Sequence, residues 1–135
     1  MATLNASTLN DTQYSGDCPL ANAHGVFTFA ATPIADVVRL VKLYAGTKIH
    51  DIKLVNAALG ASTTVSLGFT YVNGEAGGGA AALLAATSTS SAAATRMGAT
   101  SPVVLEYDAF ITATVGGGAA TGKIDVITTY EFRGA

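Results

Sequence analysis

The chain has no tryptophan and only one cysteine, Cys18, in 135 residues. A single thiol excludes an internal disulfide framework, so stability must come from a hydrophobic core; Cys18 itself reads as a small apolar residue. Charge is scarce as well: 12% of residues are charged, against about 25% in an average soluble domain. With half of the residues hydrophobic, this excludes a disordered chain, which pairs low hydrophobicity with high net charge. Seven Lys and Arg against nine Asp and Glu leave a net charge of −2. Cations so few and so scattered make no basic face for nucleic acid. No apolar run approaches the ~20 residues that a spanning helix needs, so no membrane partner is expected. Met1 to Asn5 have neither a positive nor an apolar segment of the secretory kind, which points to synthesis in a reducing cytoplasm.

What remains is Ala, Gly, Thr and Ser in quantity, with β-branched residues throughout. The length suits one domain with a real core. An exterior of small neutral side chains offers little charge to resist association, so the protein is expected to pack against copies of itself or other partners.

Residues 1–24 differ from the rest. Leu4, Leu9, Tyr14 and Leu20 are scattered among Ala, Thr, Asn, Ser and Asp with neither a helical nor a strand period. Asn10-Asp11, Ser15-Gly16-Asp17 and Pro19 are turn formers. This segment reads as an extended N-terminal arm. From residue 25 to 135 the chain reads as strands. Val26 to Ala30 places Phe27 and Phe29 on one face. Asp36 to Tyr44 is apolar on both faces apart from Arg39 and Lys42, as in a strand covered on both sides. In Lys48 to Ala57, His50 is in phase with Ile52 and Leu54, which predicts a histidine at the edge of the core. Thr63, Val65, Leu67, Phe69 and Tyr71 alternate with polar or small residues up to the Asn73-Gly74 turn, the signature of a half-buried strand. One strand is expected near Leu83–Thr89, another over Val103–Tyr107, a third over Phe110–Val115 and a last over Lys123–Phe132. About eight strands spaced by Gly-rich turns predict an all-β fold: a two-sheet antiparallel β-sandwich of jelly-roll type.

The residues that carry chemistry are few. His24 and His50 are far apart, and the His-x-His pair of jelly-roll metal enzymes of the cupin kind is missing, so neither a metal nor another cofactor is expected. Glu106 and Asp108 would share one strand face, as glycosidase carboxylates can, but a solvated face or an ion pair between subunits is the simpler reading. Asp51 with Lys53 and Lys123 with Asp125 read in the same way. The glycine triplets 77–79 and 116–118 lack the strand–loop–helix context of a phosphate loop. Tyr44, Tyr71, Tyr107 and Tyr130 fall on faces directed to the core or its rim, with no basic stripe beside them. No catalytic residue is assigned, and no enzymatic activity is expected.

Two long stretches, VVRLVKLYAGTKIHDIKLVNAALGASTTVSLGFTYV from Val37 to Val72 and YDAFITATVGGGAATGKIDVITTYEFRG from Tyr107 to Gly134, resemble small structural proteins of tailed-bacteriophage heads, the capsid decoration or cement proteins. The resemblance spans residues 24–134, and its most telling pieces are Leu59-Gly60-Ala61-Ser62-Thr63-Thr64 and Ile111-Thr112-Ala113-Thr114-Val115-Gly116-Gly117. It implies a β-sandwich that forms homotrimers and binds the outside of the assembled head. There it would bridge neighbouring major capsid protein subunits and brace the shell against packaged DNA. The implied location is the virion exterior, after assembly in the host cytoplasm. On that reading the arm meets capsid or sister subunits through Leu4, Leu9 and Tyr14. The alternative is a receptor- or glycan-binding jelly roll of a head fibre or tail, against which the absence of tryptophan counts.

Overall fold

The computed structural model describes residues 1–10, 20–97 and 101–132. Among them every regular element is a strand. The clearest alternation in the sequence forms β5, Thr64–Tyr71, with Val65, Leu67, Phe69 and Tyr71 buried. Around it lie β1 (Thr3–Asn5), β2 (Leu20–Thr32), β3 (Val37–Leu43), β4 (Thr47–Asn56), β6 (Gly79–Ser88), β7 (Ala93–Arg96), β8 (Val103–Val104), β9 (Ala109–Gly116) and β10 (Ala120–Phe132). One sheet has the order β1-β3-β9-β5-β6. The other has the order β2-β10-β4-β7, with β8 paired to β4. Leaving aside the short β1 and β8, the remaining strands alternate between sheets as first-eighth-third-sixth and second-seventh-fourth-fifth. This is the jelly-roll order, antiparallel throughout. The core between the sheets is built from inward residues such as Phe29, Leu54, Leu67, Ile111, Ile124 and Tyr130.

Two β-bulges redirect side chains where simple alternation fails. In β3 the register with β9 passes from Arg39↔Thr112 to Val41↔Ile111, which leaves Leu40 as an extra residue. Leu40 and Val41 are therefore both buried, and Arg39 and Lys42 emerge on the same outer face. The strand has one buried face and a kink; it is not covered on both sides as the composition suggests. In β4 the pairing with β10 passes from Asp51↔Thr129 to Ile49↔Tyr130, which leaves His50 extra. Ile49 turns inward, fully buried, and His50 turns outward. The histidine is hydrogen-bonded and partly buried as expected of a core edge, but it faces away from Ile52 and Leu54.

Two strands fall within residues 1–24. β1 pairs in parallel with β3, from Thr3↔Val37 to Asn5↔Arg39, and β2 begins at Leu20. The segment after β1 crosses the seam between the sheets: the Thr8 hydroxyl donates to Leu40 O at 3.0 Å and accepts the Val26 N–H at 3.1 Å. Thr8 thus satisfies one backbone group of each sheet, including an amide of the edge strand β2.

Around the β4–β5 and β6–β7 connections, buried hydroxyls take the place of strand pairing. Thr89 Oγ1 donates to Thr63 Oγ1 at 3.0 Å, and Thr63 Oγ1 donates to Gly60 O at 2.9 Å. Both threonines are almost fully buried. Thr63→Val should cost about 2 kcal/mol, because it strands the Thr89 hydroxyl in the interior. Adding Thr89→Val should cost little more, since the second change removes the orphaned group. Urea unfolding of the single and double variants checks this, and equal additive losses would contradict it.

Candidate interaction surfaces

Two outer faces and one end of the sandwich carry the polar and exposed apolar groups. Cross-strand register gathers most of the charge on the outer face of the β2-β10-β4-β7 sheet. Ile127 on β10 pairs with His24 on β2 and with Lys53 on β4, and Asp125 pairs with Val26 and Val55. His24 Nε2 lies 2.9 Å from Asp125 Oδ1, and His50 Nε2 lies 3.1 Å from Glu131 Oε2. The Arg96 guanidinium binds Asp51 through Nε and Nη2, and Lys123 Nζ lies 3.9 Å from Asp125. Asp51 thus pairs with Arg96 on β7, while Lys123 does meet Asp125. Each pair is partly solvated and contributes modestly to stability.

Both histidines are held by carboxylates of β10 but at separate positions. Among the described residues no three His, Cys, Asp or Glu side chains converge as a metal site would require. Glu106 and Asp108 do not form a carboxylate pair: Asp108 Oδ1 accepts the Ala45 N–H at 2.8 Å and so ties down the β3–β4 turn, while Glu106 is exposed. What this surface can do chemically is pair charges and present hydrogen-bonding groups.

One end of the sandwich is different. Five of the seven large hydrophobic side chains exposed among the described residues belong to it: Leu20, Tyr44, Val104, Tyr107 and Phe132. Register puts them together. Leu20 pairs with Glu131, Phe132 with Thr47, and Val104 with Lys48, while Tyr44 stands in the turn before β4. Tyr107 meets Tyr71 edge-to-face at 5.2 Å between ring centres. The tyrosines divide as their phases imply, with Tyr71 and Tyr130 buried and Tyr44 and Tyr107 at the rim. Exposed apolar side chains gathered in this way mark a surface suited to association. Sequence reading missed it because the five residues come from four separate segments with no local period in common.

Of the arm residues, Leu4 on β1 packs partly buried against this chain's own core. Leu9 is partly buried, and its carbonyl accepts the Lys42 N–H at 2.8 Å. Tyr14 and Cys18 lie outside the described residues.

No family model and no curated protein matches the chain. Solved structures do. A chain of the capsid of Ralstonia phage GP4 aligns with a TM-score of 0.76 at 16% identity, over 98% of this chain and 99% of that one. A chain of the cyanophage Pam1 capsid asymmetric unit gives 0.68 at 16% identity, over 90% of each. A chain of the acidic stable capsid structure of Helicobacter pylori bacteriophage KHP30 gives 0.63 at 20% identity, over 87% of this chain and 90% of that one. At these identities the likeness is one of fold, and the chain therefore shares its jelly-roll sandwich, almost end to end, with chains found in phage capsids.

Proposed function

We propose that this protein is a structural subunit of a tailed-phage head, a decoration or cement protein that binds the outer surface of the assembled shell. The observation that carries the reading is the near-complete mutual coverage of 98% and 99% with a chain of a phage capsid. The weakly charged exterior and the apolar end of the sandwich support it, because both favour burial against other protein. In this role the protein forms a homotrimer and bridges neighbouring major capsid protein subunits. Binding only the assembled lattice stabilises that state by mass action. Three weak contacts on one trimer reinforce each other through effective concentration. Leu9 and Tyr14 contribute from the N-terminal segment, whose base Leu4 fixes to the sandwich. The role is structural, without a reaction centre.

The test is retention on shells purified without this protein. Saturable binding that raises the temperature at which packaged DNA escapes is the expected result. No retention, or a particle map that places the chain in the tail, would refute the reading. Mass measurement in solution tests the trimer separately, through a species at three times the 13.5 kDa chain mass.

A further inference from the structure

We propose that the outer face of the β1-β3-β9-β5-β6 sheet is a docking surface for a carboxylate of a partner protein, with Arg39 as the residue that receives it. The inference deepens the reading above and rests on its claim that this chain docks on a protein shell. The five strands of this sheet contain no Asp or Glu and two cations, Arg39 and Lys42. The bulge at Leu40 brings both cations to one face, in a protein whose net charge is negative.

The Arg39 guanidinium lies over the Phe110 ring, 4.5 Å from its centre. Stacking of this kind holds the planar group by its face and leaves its N–H edge for an incoming acceptor. Arg39 forms the wall of a hollow of about 310 Å³ that Thr3, Thr70 and Thr112 also line. The surrounding side chains thus add hydroxyl groups and no competing negative charge. Among the described residues no carboxylate forms an ion pair with Arg39, whereas Arg96 is paired to Asp51.

Of the seven Asp and Glu among the described residues, five are engaged and Glu106 is exposed, outside this sheet's strands. Asp36 accepts the Ala2 N–H, Asp51 binds Arg96, Asp108 binds the Ala45 N–H, Asp125 binds His24 and Glu131 binds His50. Glu75 lines the adjoining hollow beyond Gly74 without an ion pair to Arg39. A half-buried guanidinium in an acid-free sheet is therefore complementary to an acid supplied by another protein. Its fork favours a planar carboxylate, which it can bind through two hydrogen bonds. Two cations on a neutral sheet are too few for the multi-phosphate contacts by which nucleic acid is held.

The test uses the full chain on three surfaces at low salt: shells purified without it, an immobilised poly-glutamate peptide, and duplex DNA. Arg39→Gln should weaken binding to shells and peptide about tenfold, and Arg39→Lys should restore part of it, because it keeps the charge but loses the fork. Thr70→Asp supplies a carboxylate beside Arg39 from within the chain and should produce the same loss with Arg39 intact. Lys53→Gln on the opposite sheet is the charge-matched control and should bind as the parent does. Melting curves establish that each variant is folded. Arg39→Gln binding as well as the parent or no worse than Lys53→Gln, tighter retention on DNA than on peptide, or loss of self-association in Arg39→Gln would each overturn the assignment. If the parent ignores shells but holds the peptide through Arg39, the head-decoration reading fails while the carboxylate site stands.

Discussion

Phe29→Ala should lower the unfolding free energy by about 4 kcal/mol, the range measured for aromatic truncation in a packed core. Phe29 is 1% exposed, points inward from β2, and meets Phe27 edge-to-face at 5.3 Å. Across the strand pair its partner is Gly122, which has no side chain to refill the space. β2 has one strand neighbour, β10, so the cavity also loosens the attachment of an edge strand. For a chain of this length the loss corresponds to a fall of roughly 15 °C in melting temperature. Ile34→Ala, at a side chain 57% exposed, should change stability by no more than about 0.5 kcal/mol. A drop of under 1 kcal/mol for Phe29→Ala in denaturant unfolding would show that the ring does not hold the two sheets together.

Gly68→Ala is the second large effect, and it works by crowding. A methyl group at Gly68 would run into the carbonyl oxygen of Gly79 and come within 2.9 Å of Ala80 backbone atoms. The reason lies in the register: β5 pairs Leu67 with Leu84 and then Phe69 with Gly79. The intervening residues of β6 bulge opposite Gly68, and their backbone lies against it. Backbone in a paired strand cannot swing aside as a flexible side chain can. The expected cost is about 3 kcal/mol, at the upper end for overpacking, with faster hydrogen exchange at residues 79–83 than elsewhere in the sheet. Gly74→Ala provides the contrast. Gly74 has a φ of +82° but nothing within 4 Å of its added carbon, so only backbone strain of about 1 kcal/mol applies. Equal losses at the two glycines would mean that conformation, not contact, limits position 68.

The architecture was legible because the major strands alternate and end at Gly-rich turns; Thr63–Tyr71 shows this best. Strand number and layer arrangement follow from such patterns with little help from long-range information. The misreadings fall where the backbone departs from a two-residue period. Simple alternation keeps His50 in phase with Ile52, but one extra residue in β4 reverses its direction; the same effect in β3 brings Arg39 and Lys42 to a common face. The β6 strand was half seen, as its bulge breaks the alternation of an alanine-rich run. The Val103–Tyr107 strand shrank to two residues because the chain bends at Glu106 and Tyr107, just after Leu105 hydrogen-bonds with Thr47. The apolar end had no local signal at all, since pairing partners up to 111 positions apart assemble it, as Leu20 and Glu131 show. Residue type indicates which groups are costly to leave in water, but bulges and register decide where they meet.

The position of β10 has a consequence for how the molecule is made. β10, the last strand of the sandwich in chain order, sits between β2 and β4, with Leu20–Thr32 on one side and Thr47–Asn56 on the other. Neither of these earlier strands has its principal neighbour until β10 has been made. Half of the sandwich must therefore wait for β10, and the nascent chain holds two unpaired strand edges in the meantime. Such late, non-local closure makes folding slow and exposes it to misassembly when many copies are synthesised together.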